Sequence, residues 1–265
     1  MMQTTPAPVK IGILDADLGG LPLAAAISSR WPQLPVCYLA DTAHRPIGER
    51  SPRLVRRQIG LCLDGLRQQG ADLILLASQT MAALREGSPV AEPGVVDPLP
   101  LAAAAAAEAS PSGRIGVIAS RATVDSGAYP RLIEAIRPEA RVHAAAAPLL
   151  GPLLDAGREN SPEGRLIVKK YLHRLKVRQV DTLILGASAC SRIAPLIQRK
   201  IGPRVRLVDP LSLALERLAH RLGPWPPSSE LAVSLRLLVT DAGPAVTETI
   251  QRVLRRRVDP VQIRL

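Results

Sequence analysis

Apolar runs and polar breaks alternate along this chain with a regular beat. The runs in "KIGILD", "PVCYLA" and "ADLILLA" are short and almost wholly apolar, as strands buried on both faces of a parallel sheet are. Between them lie longer stretches with apolar residues at helical spacing, in "LPLAAAISSRWP" and "RLVRRQIGLCLDGLRQQG", and a Pro/Gly loop, "TAHRPIGERSP". A short helix after "ADLILLAS", a strand in "PGVVDP" and an Ala-rich helix complete this series. At "GRIGVIAS" the pattern restarts as a strand, followed by a helix over "SGAYPRLIEAI", a strand over "ARVHAAAAP" and a long helix over "SPEGRLIVKKYLHRLKV". Ser161 suits the N-cap of that long helix and Pro162 its first position. "VDTLILGAS" then repeats "ADLILLAS", and "RVRLVDP" repeats "PGVVDP".

The expected fold is α/β, with two similar βα domains whose mainly parallel sheets face each other across a cleft. The turn residues "SPSG" mark the boundary. They give a first domain over 1–110, a second over 111–210, and a C-terminal segment over 211–265 that returns to the first domain.

Composition narrows the class. A chain of 265 residues with 47% hydrophobic residues has ample core for such a fold. It contains no Phe, so the core must rest on Leu, Ile, Val and Ala. The start, "MMQTTPAPVK", lacks the apolar region of a secretory signal, and the longest Ala-rich run is too short to span a bilayer; a cytoplasmic protein without membrane contact is expected. Three cysteines, Cys37, Cys62 and Cys190, are widely spaced and form neither a disulfide framework nor a zinc motif, so no metal is expected. The net charge of +11 raises the question of a protein or nucleic-acid partner. Its densest helical cluster is Lys169, Lys170, Arg174, Lys176 and Arg178, which reads either as a solvated face or as a polyanion surface.

Ligand sites in α/β proteins lie at the carboxyl ends of strands. The two repeated strands end there in Ser78, Gln79 and Thr80, and in Ala187, Ser188 and Ala189. None of these is an obvious acid or base, and Ala187 can accept no proton at all.

Several segments in the same order resemble the glutamate racemase family of the cofactor-independent aspartate/glutamate racemases. "IGILDADLGGL" resembles "IGvfDSGvGGL", "YLADTAHRPIGERS" resembles "yfgDtarvPYGxkS", and "IGVIASRATVDSGAY" resembles "IGVIgTxgTixSgaY". "APLLGPLLDAG" resembles "cPlfvPlvEeG", and "LILGASACSRIAPLIQ" aligns without gaps on "LILGCTHYPLLKPLIQ". The resemblance implies an amino-acid isomerase without cofactor, commonly dimeric, that supplies D-glutamate for peptidoglycan. That chemistry needs two thiolates, one on each face of the substrate α-carbon. At the two cysteine positions this chain carries Ser78 and Ala187, and at the assisting histidine it carries Ala189.

The pocket positions implied by the resemblance are Asp15, Ala16, Pro46, Ile47, Gly48, Ser78, Gln79, Thr80 and Ser188. Two of them have lost polarity, Ala16 standing for serine and Ile47 for tyrosine, as has Ala189, which stands for histidine. Asp15 reads equally as a catalytic relic or as a helix cap. Gly19, Gly20 and Gly48 are expected where turns need permissive φ. The expectation is therefore a pseudoenzyme with no intact catalytic set, acting by binding a small amino-acid-like ligand or a partner. The alternatives are a divergent isomerase or lyase using Ser78, Asp15 or His44, and a glutamate racemase.

Overall fold

The computed structural model of the chain describes residues 9–85, 93–223 and 235–265. The apolar runs form β1 (Ile11–Asp15), β2 (Val36–Ala40), β3 (Leu73–Leu76) and β4 (Val95–Val96), then β5 (Arg114–Ala119), β6 (Arg141–Ala146), β7 (Thr182–Gly186) and β8 (Arg206–Val208). Two more strands follow, β9 (Leu235–Val239) and β10 (Val261–Gln262). One sheet has the order β10-β9-β2-β1-β3-β4, the other β6-β5-β7-β8. Every pairing among these strands is parallel.

The order β6-β5-β7-β8 repeats the order β2-β1-β3-β4, so the repeat in the sequence is a repeat in space. In each sheet the chain leaves the central strand to one side and then crosses to the other. Such a reversal opens a crevice at the carboxyl ends of the strands. The C-terminal strand β9 pairs with β2 of the first sheet.

The helices are α1 (Leu21–Arg30), α2 (Pro52–Gln68), α3 (Gln79–Leu84), α4 (Pro98–Ala109), α5 (Arg121–Asp125) and α6 (Ala128–Ile136). They continue with α7 (Leu150–Asp155), α8 (Pro162–Val177), α9 (Ser188–Arg192), α10 (Ala194–Ile201), α11 (Pro210–Leu222) and α12 (Pro244–Leu254). Their starts follow local chemistry. The hydroxyls of Ser51, Ser78, Ser120 and Ser161 each accept from the backbone N–H three residues on, satisfying an otherwise orphaned donor. Asp97 caps α4 and Asp209 caps α11 in the same manner, through Leu99 N and Leu211 N. The helix expected over "SGAYPRLIEAI" is in fact preceded by α5; Gly127, at φ 64°, breaks the chain between the two. The Pro/Gly loop holds two short 3-10 turns, Thr42–His44 and Ile47–Glu49. Strand β10 was not foreseen, because its two residues are exposed and carry no apolar run.

Three apolar clusters hold the layers together. One lies between the sheets and joins Leu14 and Leu76 of the first to Ile115, Val117 and Ile184 of the second. A second cluster packs α1 and α11 on the other face of the first sheet, around Leu21, Ile27, Ala214 and Leu218. A third packs α8 and α10 on the outer face of the second, around Leu172, Leu175 and Ile197. Small side chains take the place of Phe: Ala102, Ala103 and Ala106 of α4 are fully buried, letting that helix approach closely.

The glycines at the tip of β1 serve space rather than φ, which corrects the expectation. Gly20 has φ −84°, open to any residue. A Cβ there would collide with Ala77 Cβ and lie 2.9 Å from Asp15 Oδ2. A Cβ on Gly19 would strike Ser188 Oγ and lie 3.1 Å from the backbone nitrogen of Ala189. Gly48, likewise outside the left-handed region, lies with its Cβ direction 3.1 Å from Ser120 Cβ. Gly19 and Gly48 thus allow loops of the two sheets to touch across the cleft.

Candidate functional site

The strand tips of the two sheets enclose a cavity of about 270 Å³. From the first sheet come Asp17 and Gly19 after β1, Arg45, Pro46, Gly48 and Glu49 after β2, and Ser78, Gln79 and Thr80 after β3. From the second come Ser120 and Arg121 after β5, Pro148, Leu150, Leu154 and Asp155 after β6, and Ala187, Ser188, Ala189 and Arg192 after β7. Both sequence-expected triplets therefore meet at one cavity, as do Pro46 and Gly48.

Three other expected residues do not reach it. Asp15 is fully buried and spent on structure. Its Oδ1 accepts from Ala16 N at 2.8 Å and Asp17 N at 3.3 Å; its Oδ2 accepts from Gly20 N at 2.6 Å and from the Tyr38 hydroxyl at 2.6 Å. Burial, then the charge of Asp15, push the Tyr38 phenol far up, so it stays protonated and donates. Ala16 and Ile47 are each 1% exposed and belong to the core between the sheets. Ile47 offers that core packing and no polar contact.

His44 does not line the cavity either. Its Nδ1 sits 2.8 Å from Asp41 Oδ1, and the same carboxylate oxygen accepts from Thr240 Oγ1 at 2.9 Å. Among the described residues no base is hydrogen-bonded to Ser78; its Oγ accepts from Met81 N as the cap of α3. The three thiols lie elsewhere: Cys37, Cys62 and Cys190 are all fully buried. Burial pushes each of them up, that of Cys190 to about 12. Cys190 is enclosed, its Sγ 3.9 Å from Ile118 O.

What the sequence reading missed is the charge of the cleft. Arg45 bridges the halves, donating to Asp17 Oδ1 at 3.2 Å on its own side and to Asp155 on the other. Desolvation, then the neighbouring Asp15, raise the Asp17 carboxyl to about 6, although water still reaches 43% of its side chain. Arg192 lies on the opposite wall, hydrogen-bonded to no described residue, with burial lowering its guanidinium and Asp155 and Glu159 opposing that. The hydroxyls of Thr80, Ser120 and Thr123 form a closed trio at 2.8, 2.9 and 3.3 Å across the cleft. Charged residues in strand-tip loops, in "DADLGG" and "AHRPIG", were the available signal.

Gln79 is the anomaly of the site. It is 1% exposed, stands at the cavity wall, and neither Oε1 nor Nε2 has a hydrogen-bond partner among the described residues. Buried amides are almost always bonded, so an orphan pair here calls for an external partner.

The basic cluster of α8 divides. Lys169, His173 and Lys176 share a groove of about 520 Å³ with Arg199 and Lys200 of α10, whereas Lys170, Arg174 and Arg178 lie off it. Lys176 Nζ donates to Lys200 O at 2.9 Å, at the carbonyl end of α10, where cations offset the helix dipole. No helix among the described residues is long and apolar enough to cross a membrane.

Comparison with known proteins agrees with this architecture. The family model of Asp/Glu/Hydantoin racemases matches residues 23–218. The glutamate racemase of Desulforudis audaxviator is 34% identical over 266 residues, covering 95% of this chain and 96% of that protein. The crystal structure of a Bacillus anthracis glutamate racemase isoform superposes with a TM-score of 0.87 at 24% identity, covering 98% of this chain and 99% of that one. The glutamate racemase of Thermus thermophilus, solved in complex with β-chloro-D-alanine, gives 0.83 at 27% identity, covering 97% of each chain. With the repeated sheets, the strand-tip cavity and these matches in agreement, the chain belongs to the glutamate racemase family.

Proposed function

We propose that this member of the family binds a small ligand in the interdomain cleft without racemising it by the two-thiol route. The observation that carries the reading is the pair of opposed strand tips: Ser78 and Ala187 both border the cavity, while all three thiols are buried away from it. A Ser hydroxyl is a far weaker acid than a thiol and needs a neighbouring base, and no described base is hydrogen-bonded to Ser78. The divergent-enzyme reading loses support because Asp15 is spent on backbone donors and Tyr38, and His44 does not line the cavity. That the Thermus relative was solved in complex with β-chloro-D-alanine supports small-ligand binding by this fold.

The test is α-hydrogen exchange in deuterium oxide with D- and L-glutamate and with aspartate, since one working base suffices for exchange. None above the protein-free rate is expected. Enzyme-dependent exchange that disappears in Ser78→Ala would establish a one-base enzyme instead.

A second reading, contact with a polyanion, is supported by the four cations, Lys169, Lys176, Arg199 and Lys200, that line the groove between α8 and α10 with His173. Binding of heparin should then weaken log-linearly with salt, and Lys169→Glu with Lys176→Glu should flatten the slope. A slope unchanged by these reversals would leave the cations as partners of helix ends alone.

A further inference from the structure

The positive charge of this protein is not spread evenly over it. From α8 through β8, Pro162 to Val208, the chain carries eleven lysines and arginines against two carboxylates, Glu163 and Asp181, a surplus of nine within a net charge of +11. A plain bias of composition toward arginine would load every element alike, and this surplus does not. One of the eleven, Arg192, stands in the cleft. The other ten lie on or just after α8, on α10, and around the start of β8. Neither acid serves them: Glu163 pairs with Arg158, and Asp181 accepts from Ser110 and Ser112. Among the described residues none of the ten forms an ion pair.

Beside α8 the patch runs onto the sheet. Arg114 and Arg141 begin β5 and β6, are both exposed, and stand opposite each other in the parallel register. Like charges so placed repel. His143, two residues on along β6 and so on the same face as Arg141, reports a third cation. Burial, then the charges of Arg178, Arg141 and Arg114, lower its imidazole. Three guanidiniums from three elements therefore converge at the amino ends of these strands, away from the cavity at the carboxyl ends. Lys176 lines the groove with Arg199 and Lys200, and Arg178 follows it by two residues, so groove and trio form one track. From Lys169 to Arg178 alone the helix rises about 14 Å, too far for one small anion to neutralise.

We propose that this track, with Lys169, Lys176, Arg199, Arg178, Arg114 and Arg141, binds the phosphate backbone of duplex nucleic acid without regard to sequence. The proposal rests on the polyanion reading of the groove and names the polyanion. A duplex offers a charge about every 1.7 Å along a stiff axis, which matches cations strung out along a rigid helix and a sheet edge. Single strands are held by aromatic platforms, and Tyr171 is the one aromatic residue from α8 through β8; it is half-buried, its hydroxyl accepting from Leu149 N. An acidic protein would need an apolar centre to its contact. The exposed apolar residues of α8, Leu166 and Val177, stand apart toward its two ends and form no such centre. Polar, strongly positive surfaces are what duplex-binding proteins present.

Fluorescence anisotropy of the full-length protein with two labelled DNA duplexes of unrelated sequence, across a series of salt concentrations, is the test. Both should bind with equal affinity, and log K should fall linearly with log salt. Arg141→Gln combined with Arg178→Gln should reduce that slope by about two, one for each phosphate contact removed. The melting temperature of this variant should be held or raised, since Arg114 loses a like-charged neighbour. A single strand of the same length should bind more weakly. A slope indifferent to the double variant overturns the proposal, as does a single strand, poly-glutamate or a phosphatidylserine vesicle bound as tightly as the duplexes. Heparin separates the two levels. If its slope responds to Lys169→Glu with Lys176→Glu while neither duplex binds, only the duplex is wrong; if it does not respond, the polyanion reading beneath it fails.

Discussion

Asp15→Ala is expected to destabilise the protein by about 3–5 kcal/mol, read as a shift in the urea midpoint with the slope unchanged. The carboxylate sits at 0% exposure and accepts four hydrogen bonds, from Ala16 N, Asp17 N, Gly20 N and the Tyr38 hydroxyl. Removing it orphans at least three buried donors at once, each worth about 1–3 kcal/mol when left unmet. Asp15→Asn should fall between the two, because one of its two terminal atoms becomes a donor facing donors. Gly20 ties this to the cleft: its N–H reaches Asp15 Oδ2, and the loop that follows β1 carries Asp17 and Gly19 into the cavity wall. A variant that keeps its stability and loses only ligand binding would restore Asp15 to a functional role.

Asp17 should give the stability curve a specific dependence on pH. Its carboxyl titrates at about 6 in the folded protein against an ordinary 3.8, because burial and then Asp15 disfavour its charge more than Arg45 favours it. The folded state therefore holds this proton to higher pH than the unfolded chain does. That contribution to stability is full below about pH 4, declines as pH rises through about 6, and is absent above. Compared with Asp17→Asn across pH 4 to 7, the wild type should lose stability over this window and then run parallel to the variant. Solvent contact with the side chain keeps the difference modest. Curves parallel throughout would place the titration elsewhere. The same proton bears on the cleft, since protonated Asp17 leaves Arg45 to Asp155 alone.

Much of this was readable along the chain. Strands β1, β2, β3 and β7 announce themselves as apolar runs because both their faces are covered, and all their residues are buried. Ser161 and Pro162 mark the start of α8 because the orphaned donors of a first turn are met by the residue just before it. The strand tips were legible for the same local reason: Ser78 to Thr80 and Ala187 to Ala189 follow directly on such runs, and both sets line the cavity. The absence of thiols from these tips, too, is a property of the sequence itself.

Which side chains face the cavity was settled only by the packing of the two sheets. Asp15 stands beside the site in sequence but points at Gly20 and Tyr38, 5 and 23 positions away along the chain. Ile47 stands between two cavity-lining residues and turns into the core. The bridge of Arg45 to Asp17 and Asp155 spans 28 and 110 positions, and no periodicity records it. Hydrophobic spacing encodes what each residue does to its own strand or helix. Charge pairing and cavity lining depend on residues brought together from distant loops, so the unmet fork of Arg192 and the unmet amide of Gln79 exist only once both sheets have closed on the cleft.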